Sequence, residues 1–212
     1  MTSRLRYIAF ALPMLLGACG GLLPHAEPMD IYRLPTTTSP AASDTAATLK
    51  AVQLRINSPQ ASGLVASKRI VILPQGNKVS VYHGARWNQP APQMLRDRLI
   101  AAFRDNGQLK AVFSDDSGLH ADYVLAGTLN AFQAENRDDQ KPVVVIDYDA
   151  MLLRHGSEVI AHHHFRLVTA SPGSAIPVVV DTFGKAADTL AAKVTGWACR
   201  EMAKSARASV DT

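Results

Sequence analysis

The sequence predicts an α+β fold: a single domain in which a largely antiparallel sheet carries two main helices packed on one face. Three observations lead there. Three long segments between residues 121 and 169 alternate apolar and polar side chains, the period of a half-buried strand. Two further segments, Trp87–Gly107 and Asp181–Ala206, repeat their apolar residues at helical spacing. Strands of that length bare one apolar face each, and packed helices are what covers such a face. In a chain of 212 residues, a composition 47% hydrophobic and 19% charged can bury one core and excludes a disordered body.

Taken in order, Ile31-Tyr32-Arg33-Leu34 is a short strand candidate, and Thr36–Thr48 is a low-complexity loop without hydrophobic period. Ala51–Ile56 places Val52, Leu54 and Ile56 on one face of a strand. Arg69–Leu73 is a short apolar run stopped by Pro74, the pattern of a central strand. Gln75-Gly76-Asn77 turns it into Lys78–His83, making a hairpin.

Trp87–Gly107 follows as the first helical unit. Pro90 and Pro92 suit a helix entry, where a missing N–H costs nothing. Leu95, Leu99, Ala102 and Phe103 make one stripe, Arg96, Asp97, Arg104 and Asp105 lie off it, and Asn106-Gly107 supplies the stop. Trp87 is expected to pack over the helix start.

After a short strand at Ala111-Val112-Phe113 comes a three-stranded meander. Ala121–Asn130 turns Tyr123, Leu125, Gly127 and Leu129 to one face; Val143–Leu153 does so with Val144, Ile146, Tyr148, Ala150 and Leu152; Val159–Thr169 with Val159, Ala161, His163, Phe165 and Leu167. The polar connections 135–141 and 155–157 read as turns. The second helix, Asp181–Ala206, carries Phe183, Ala187, Leu190, Val194, Trp197 and Ala198 on one stripe, with Asp181 or Thr182 as its cap and Gly184 and Gly196 weakening it.

Two residue groups invite chemistry. His162-His163-His164 suggests a metal, but on a strand only His162 and His164 share a face, and no third ligand is assignable. The plainer reading is a polar strand face of His162, His164 and Arg166, with His163 on the core side. Asp147 and Asp149 also share a face, yet no nucleophile, base and oxyanion-donor set accompanies them. No G-x-S-x-G, H-E-x-x-H, P-loop or G-x-G-x-x-G motif occurs. The expectation is therefore no enzyme, no catalytic residue, no metal and no cofactor.

The N-terminus says more. Arg4 and Arg6 precede an apolar run from Tyr7 to Leu16, and Leu16-Gly17-Ala18-Cys19 looks like a bacterial lipobox, whose cysteine becomes the lipid-modified first residue of the mature chain. The run is shorter than the roughly 20 residues of a membrane-spanning helix. The expected organisation is a signal peptide at 1–18, a lipidated tether at 19–30 with Cys19 as the lipidation site, a domain at 31–206 and a tail at 207–212. Removing the signal takes away Arg4 and Arg6, so the formal charge falls from +4 to +2. Nucleic acid gains no support from that balance. With Cys19 acylated, Cys199 has no intrachain partner, and its flanks Trp197, Ala198 and Met202 suit a buried thiol.

The order of these features resembles the ABC-type transport auxiliary lipoproteins, which are encoded with mammalian-cell-entry (MCE) domain proteins. The resemblance runs over about residues 30–206: lipobox, Tyr32-x-Leu34, paired strands, Tyr82 and Trp87, and the Leu95–Phe103 helix. Ala121-Asp122-Tyr123-Val124-Leu125, Leu129-x-x-Phe132-x-Ala134-Glu135, the strands at 143–153 and 162–165 and an alanine-rich last helix continue it. It implies an accessory subunit of an MCE-dependent intermembrane lipid transporter, partnered by an MCE-domain protein with its ABC permease and ATPase, and by the membrane through its anchor. Self-association into a homo-oligomer is expected by analogy with a ring-shaped partner. Gly20 after the cysteine, where Asp would retain the protein, implies the periplasmic face of the outer membrane. A rival from another class is a structural envelope lipoprotein with no transport duty.

Overall fold

A computed structural model describes residues 28–36, 49–76, 78–136 and 141–208. The signal and anchor reading, Cys19 included, and nearly all of the Thr36–Thr48 loop lie outside the described residues. Ten main elements follow in order: β1 (Asp30–Tyr32), β2 (Gln53–Ile56), β3 (Arg69–Gln75), β4 (Lys78–Trp87), α1 (Ala91–Asn106), β5 (Ala111–Ser114), β6 (Tyr123–Glu135), β7 (Val143–Arg154), β8 (Glu158–Ala170) and α2 (Ile176–Ala208). The eight strands form one sheet, and α1 and α2 pack on each other and against it.

Strand β6 organises the sheet. One of its edges pairs antiparallel with β7 over its whole length, and β7 pairs antiparallel with β8. Its other edge is shared: β2 lies parallel to Tyr123–Leu125 and β3 parallel to Gln133–Glu135, with a bridge from Gln60 to Thr128 between them. β5 extends the sheet beyond β2, and β4 then β1 beyond β3. The antiparallel meander of long strands is as expected; the parallel joins on the divided edge are a finding of the structure.

A bulge between Leu129 and Ala131 inverts the alternation of β6, so its helix-side residues run Leu125, Gly127, Leu129 and then Phe132 and Ala134. That is why β6 continues beyond Asn130, where the alternating pattern breaks. β3 likewise runs through Pro74 to Gln75, because the proline falls in a register shift between Ile72 and Gln75 where no ladder N–H is required. The β7–β8 hairpin closes through His155, Gly156 and Ser157: His155 (φ 50°) and Gly156 (φ 77°) are both left-handed, and the Ser157 N–H donates back to the Arg154 carbonyl.

The core is centred on three rings from three elements. Trp87 of β4 meets Phe183 of α2 edge-on at 5.3 Å, Phe132 of β6 stacks on Phe183 at 4.9 Å, and Trp87 and Phe132 lie 6.0 Å apart. All three are essentially without solvent exposure, each contributing about 1.5–3 kcal/mol by burial. Trp87 therefore sits beneath the helices and does more than cover a helix start. On α1, Leu95, Leu99 and Phe103 are buried as the stripe requires, and Gly107 (φ 67°) ends the helix with its N–H donating to the Arg104 carbonyl.

Three expectations need correction. Asp181 and Thr182 do not cap α2: the helix starts five residues earlier, at Ile176, with Pro177 in its first turn where no N–H is missed. Thr182 is buried inside it and donates to the Val178 carbonyl. Val159 does not join the core face of β8 but is 54% exposed, because a register shift opposite Leu152 and Leu153 breaks the alternation there. His163 lies on the helix side yet at its margin, exposed, with its ring 4.4 Å from Phe165 and 5.9 Å from Trp197.

Candidate functional site

Two polar arrangements stand out, one on each side of the sheet. The first joins the chain arriving from the N-terminus to the two helices. β1 pairs with the end of β4, and the Tyr32 carbonyl accepts from the Asn88 N–H at 2.8 Å. The following Leu34 and Pro35 carbonyls both accept from one guanidinium nitrogen of Arg98, and the other nitrogen donates to the Asp188 carboxylate on α2. Arg98 is 8% exposed, so its charge is held by an ion pair and two backbone oxygens in place of water. The Pro35 carbonyl oxygen comes so close to α2 that a β-carbon on Gly184 would stand 2.7 Å from it. Gly184 is thus the residue that lets the incoming segment lie in the groove between α1 and α2.

Sequence reasoning passed over Arg98, although the signal was present: it lies three residues after Leu95 and four before Ala102, on the apolar stripe itself. A charged residue there needs a buried partner.

The second arrangement lies on the open face of the sheet, opposite the helices. Register places Asp149 opposite His164 and Asp147 opposite Arg166. The two aspartates and the histidine strand, read separately in the sequence, therefore form one cluster. His164 Nδ1 is 2.7 Å from the Asp149 carboxylate, and Arg166 donates to Asp147 at 2.7 Å. Asn130, set by the β6 bulge, donates from its amide to Asp147 (3.1 Å) and Asp149 (2.7 Å). His162 reaches Asp149 only at 3.9 Å. The hydrogen bonds from His164 and Asn130 hold the Asp149 carboxyl below its ordinary range, and the same bond with Asp149, helped by the charge of Asp147, raises His164.

Asp147, Asp149 and His164 offer ligand atoms within 4.8 Å of one another, the sort of grouping a metal could use. Asn130 and Arg166 already donate to Asp147, and Asn130 to Asp149, so a cation would compete with these hydrogen bonds for the carboxylates. Two carboxylates facing one guanidinium and one raised imidazole form a network that balances its own charge. Cys199 is buried, and desolvation pushes its thiol up to about 11, so it is not an activated nucleophile.

The family of ABC-type transport auxiliary lipoprotein components matches residues 32–195, which spans both arrangements and every element from the end of β1 into α2. The chain belongs to that family. Among solved structures, this auxiliary lipoprotein is similar to protein XCC0632 from Xanthomonas campestris, at 27% identity and a TM-score of 0.75 over 84% of this chain and 99% of that one. It also shares its fold with an uncharacterized protein at 18% identity and a TM-score of 0.62, over 80% of this chain and 97% of the other. No curated protein matches it. The auxiliary lipoprotein has, among its described residues, no helix long and apolar enough to cross a membrane.

Proposed function

We propose that the chain is a non-catalytic docking subunit of an ABC-type, MCE-protein-dependent system that carries lipid between membranes, anchored through Cys19 to the periplasmic face of the outer membrane. The observation that carries this reading is the family match over residues 32–195. The lipobox ahead of it and Gly20 after the cysteine support the anchor and its membrane. Physically, a lipid exposed to water costs about 0.8 kcal/mol for each CH₂, so a transport path needs protein at both bilayers and a receiving end held in place. The Arg98–Asp188 clamp suits that duty, because it ties the segment that follows the tether into the folded body. Homo-oligomer formation fits a ring-shaped partner by symmetry.

The test is genetic. A strain lacking the protein should show an altered lipid distribution between membranes, restored by the wild-type chain but not by Cys19→Ser or by the inner-membrane-retained Gly20→Asp. An unchanged lipid distribution, with detergent sensitivity altered, would instead favour a purely structural envelope lipoprotein.

A further inference from the structure

At the β1 end of the sheet, three side chains stand in a row across three strands. Ile31 of β1 is opposite Arg86 of β4, and Arg86 is opposite Arg69 of β3. Cross-strand partners share a face, here the open one, since the neighbouring Tyr32, Trp87 and Ile70 pack in the core on the helix side. Both arginines are exposed and Ile31 is 57% exposed. Met29 and Arg33, two residues either side of Ile31, are exposed as well. Like charges set directly opposite repel and weaken a sheet, and among the described residues neither arginine has an acidic partner for its side chain. This patch does nothing for the fold that would account for it.

It lies a short way along the chain from the proposed anchor. Pro28, the first described residue, follows Cys19 by nine residues, a reach of at most about 32 Å even fully extended. A lipid on Cys19 would therefore keep Met29, ten residues on, within about 36 Å of the bilayer and Ile31, twelve residues on, within about 43 Å. We propose that this face rests on the membrane that holds the anchor, with Arg69 and Arg86 bound to anionic phospholipid headgroups and Met29 and Ile31 entering the interface. The proposal builds on the anchored reading above. Arginine suits phosphate through paired donors, basic residues near an anionic leaflet are drawn to it within a Debye length, and exposed apolar side chains beside them add interfacial contact. Such seating would fix which way the rest of the sheet faces.

The test uses the full lipidated chain carrying Ile31→Cys labelled with a polarity-sensitive dye, with labelled Leu119→Cys, near the opposite edge of the sheet, as control. Cys199 is buried and escapes labelling. The protein is added to phosphatidylcholine vesicles with and without phosphatidylglycerol and followed by flotation and fluorescence. Flotation with both vesicles, with a blue shift at position 31 only when phosphatidylglycerol is present, is expected; Arg69→Glu/Arg86→Glu or high salt abolishes the shift, and the dye at 119 stays in water throughout. A dye at 31 that remains in water on both vesicles while the chain floats overturns the proposal and leaves this face to a protein partner. An unchanged shift in the double variant also overturns it. Flotation only with phosphatidylglycerol, with the shift, supports the face and removes the anchor; no flotation and no shift removes both.

Discussion

The Pro35 carbonyl oxygen occupies the space where a β-carbon of Gly184 would stand, 2.7 Å away. A helix interior ordinarily gains from replacing glycine with alanine, by about 1 kcal/mol. Here the new methyl meets backbone, and overpacking costs about 1–3 kcal/mol. Gly184→Ala is therefore expected to lower the unfolding free energy in urea, and to speed amide exchange through residues 32–36. An increase in stability would show that the segment yields freely.

Arg98 is expected to be more costly to remove. Arg98→Met strips the ion pair from Asp188 and the donors from the Leu34 and Pro35 carbonyls. Breaking a buried pair from one side costs about 3–5 kcal/mol, and the partial exposure of Asp188 places this one at the low end. Chemical denaturation of the single variants, with Arg98→Met/Asp188→Leu as the double, measures it: the double should recover part of the loss.

The ring cluster sets the scale for the core. Phe132→Ala removes the ring stacked on Phe183 and edge-on to Trp87, and such truncations cost about 3–5 kcal/mol. A thermal melt together with the near-ultraviolet circular dichroism of Trp87 would record both the loss and the altered environment of the indole.

On the open face, the pH dependence has a definite sign. His164 has its pKa raised above 6.5 by Asp149 and then Asp147, so its contribution is fully present below 6.5 and is lost as pH rises through the raised value. Asp149 has its pKa lowered below 3.8, so its contribution is present above 3.8 and is lost as pH falls through the lowered value. His164 is solvent-exposed and Asp149 only half-buried, and the effect on stability is small. The direct measurement is an NMR titration of the His164 ring, which should titrate above 6.5 in the wild type and move down in Asp149→Asn.

Much of this fold was legible because its signals are local. The alternation in β7 and the stripe Phe183, Ala187, Leu190, Val194 depend only on period, and both faces are buried as the period requires. What escaped depends on long-range register. The β6 bulge at Asn130 inverts a strand where the sequence reads as a strand end, and the divided edge that takes β2 and β3 side by side leaves no trace in either strand alone. The aspartates and histidines were visible as pairs, but their meeting required the register that sets Asp149 against His164. Arg98 was visible as a misplaced charge, and its partners at residues 34, 35 and 188 were not.

The chain's proposed role is that of a docking partner in a transport machine. The most direct measurement is crosslinking in intact cells with a photoreactive residue placed in turn on exposed positions, among them Leu64, Leu119 and Val168, followed by identification of the captured protein. Capture of an MCE-domain protein from at least one face is the predicted result. Crosslinks from every face that never yield an MCE-domain protein, in cells that express one, would contradict it.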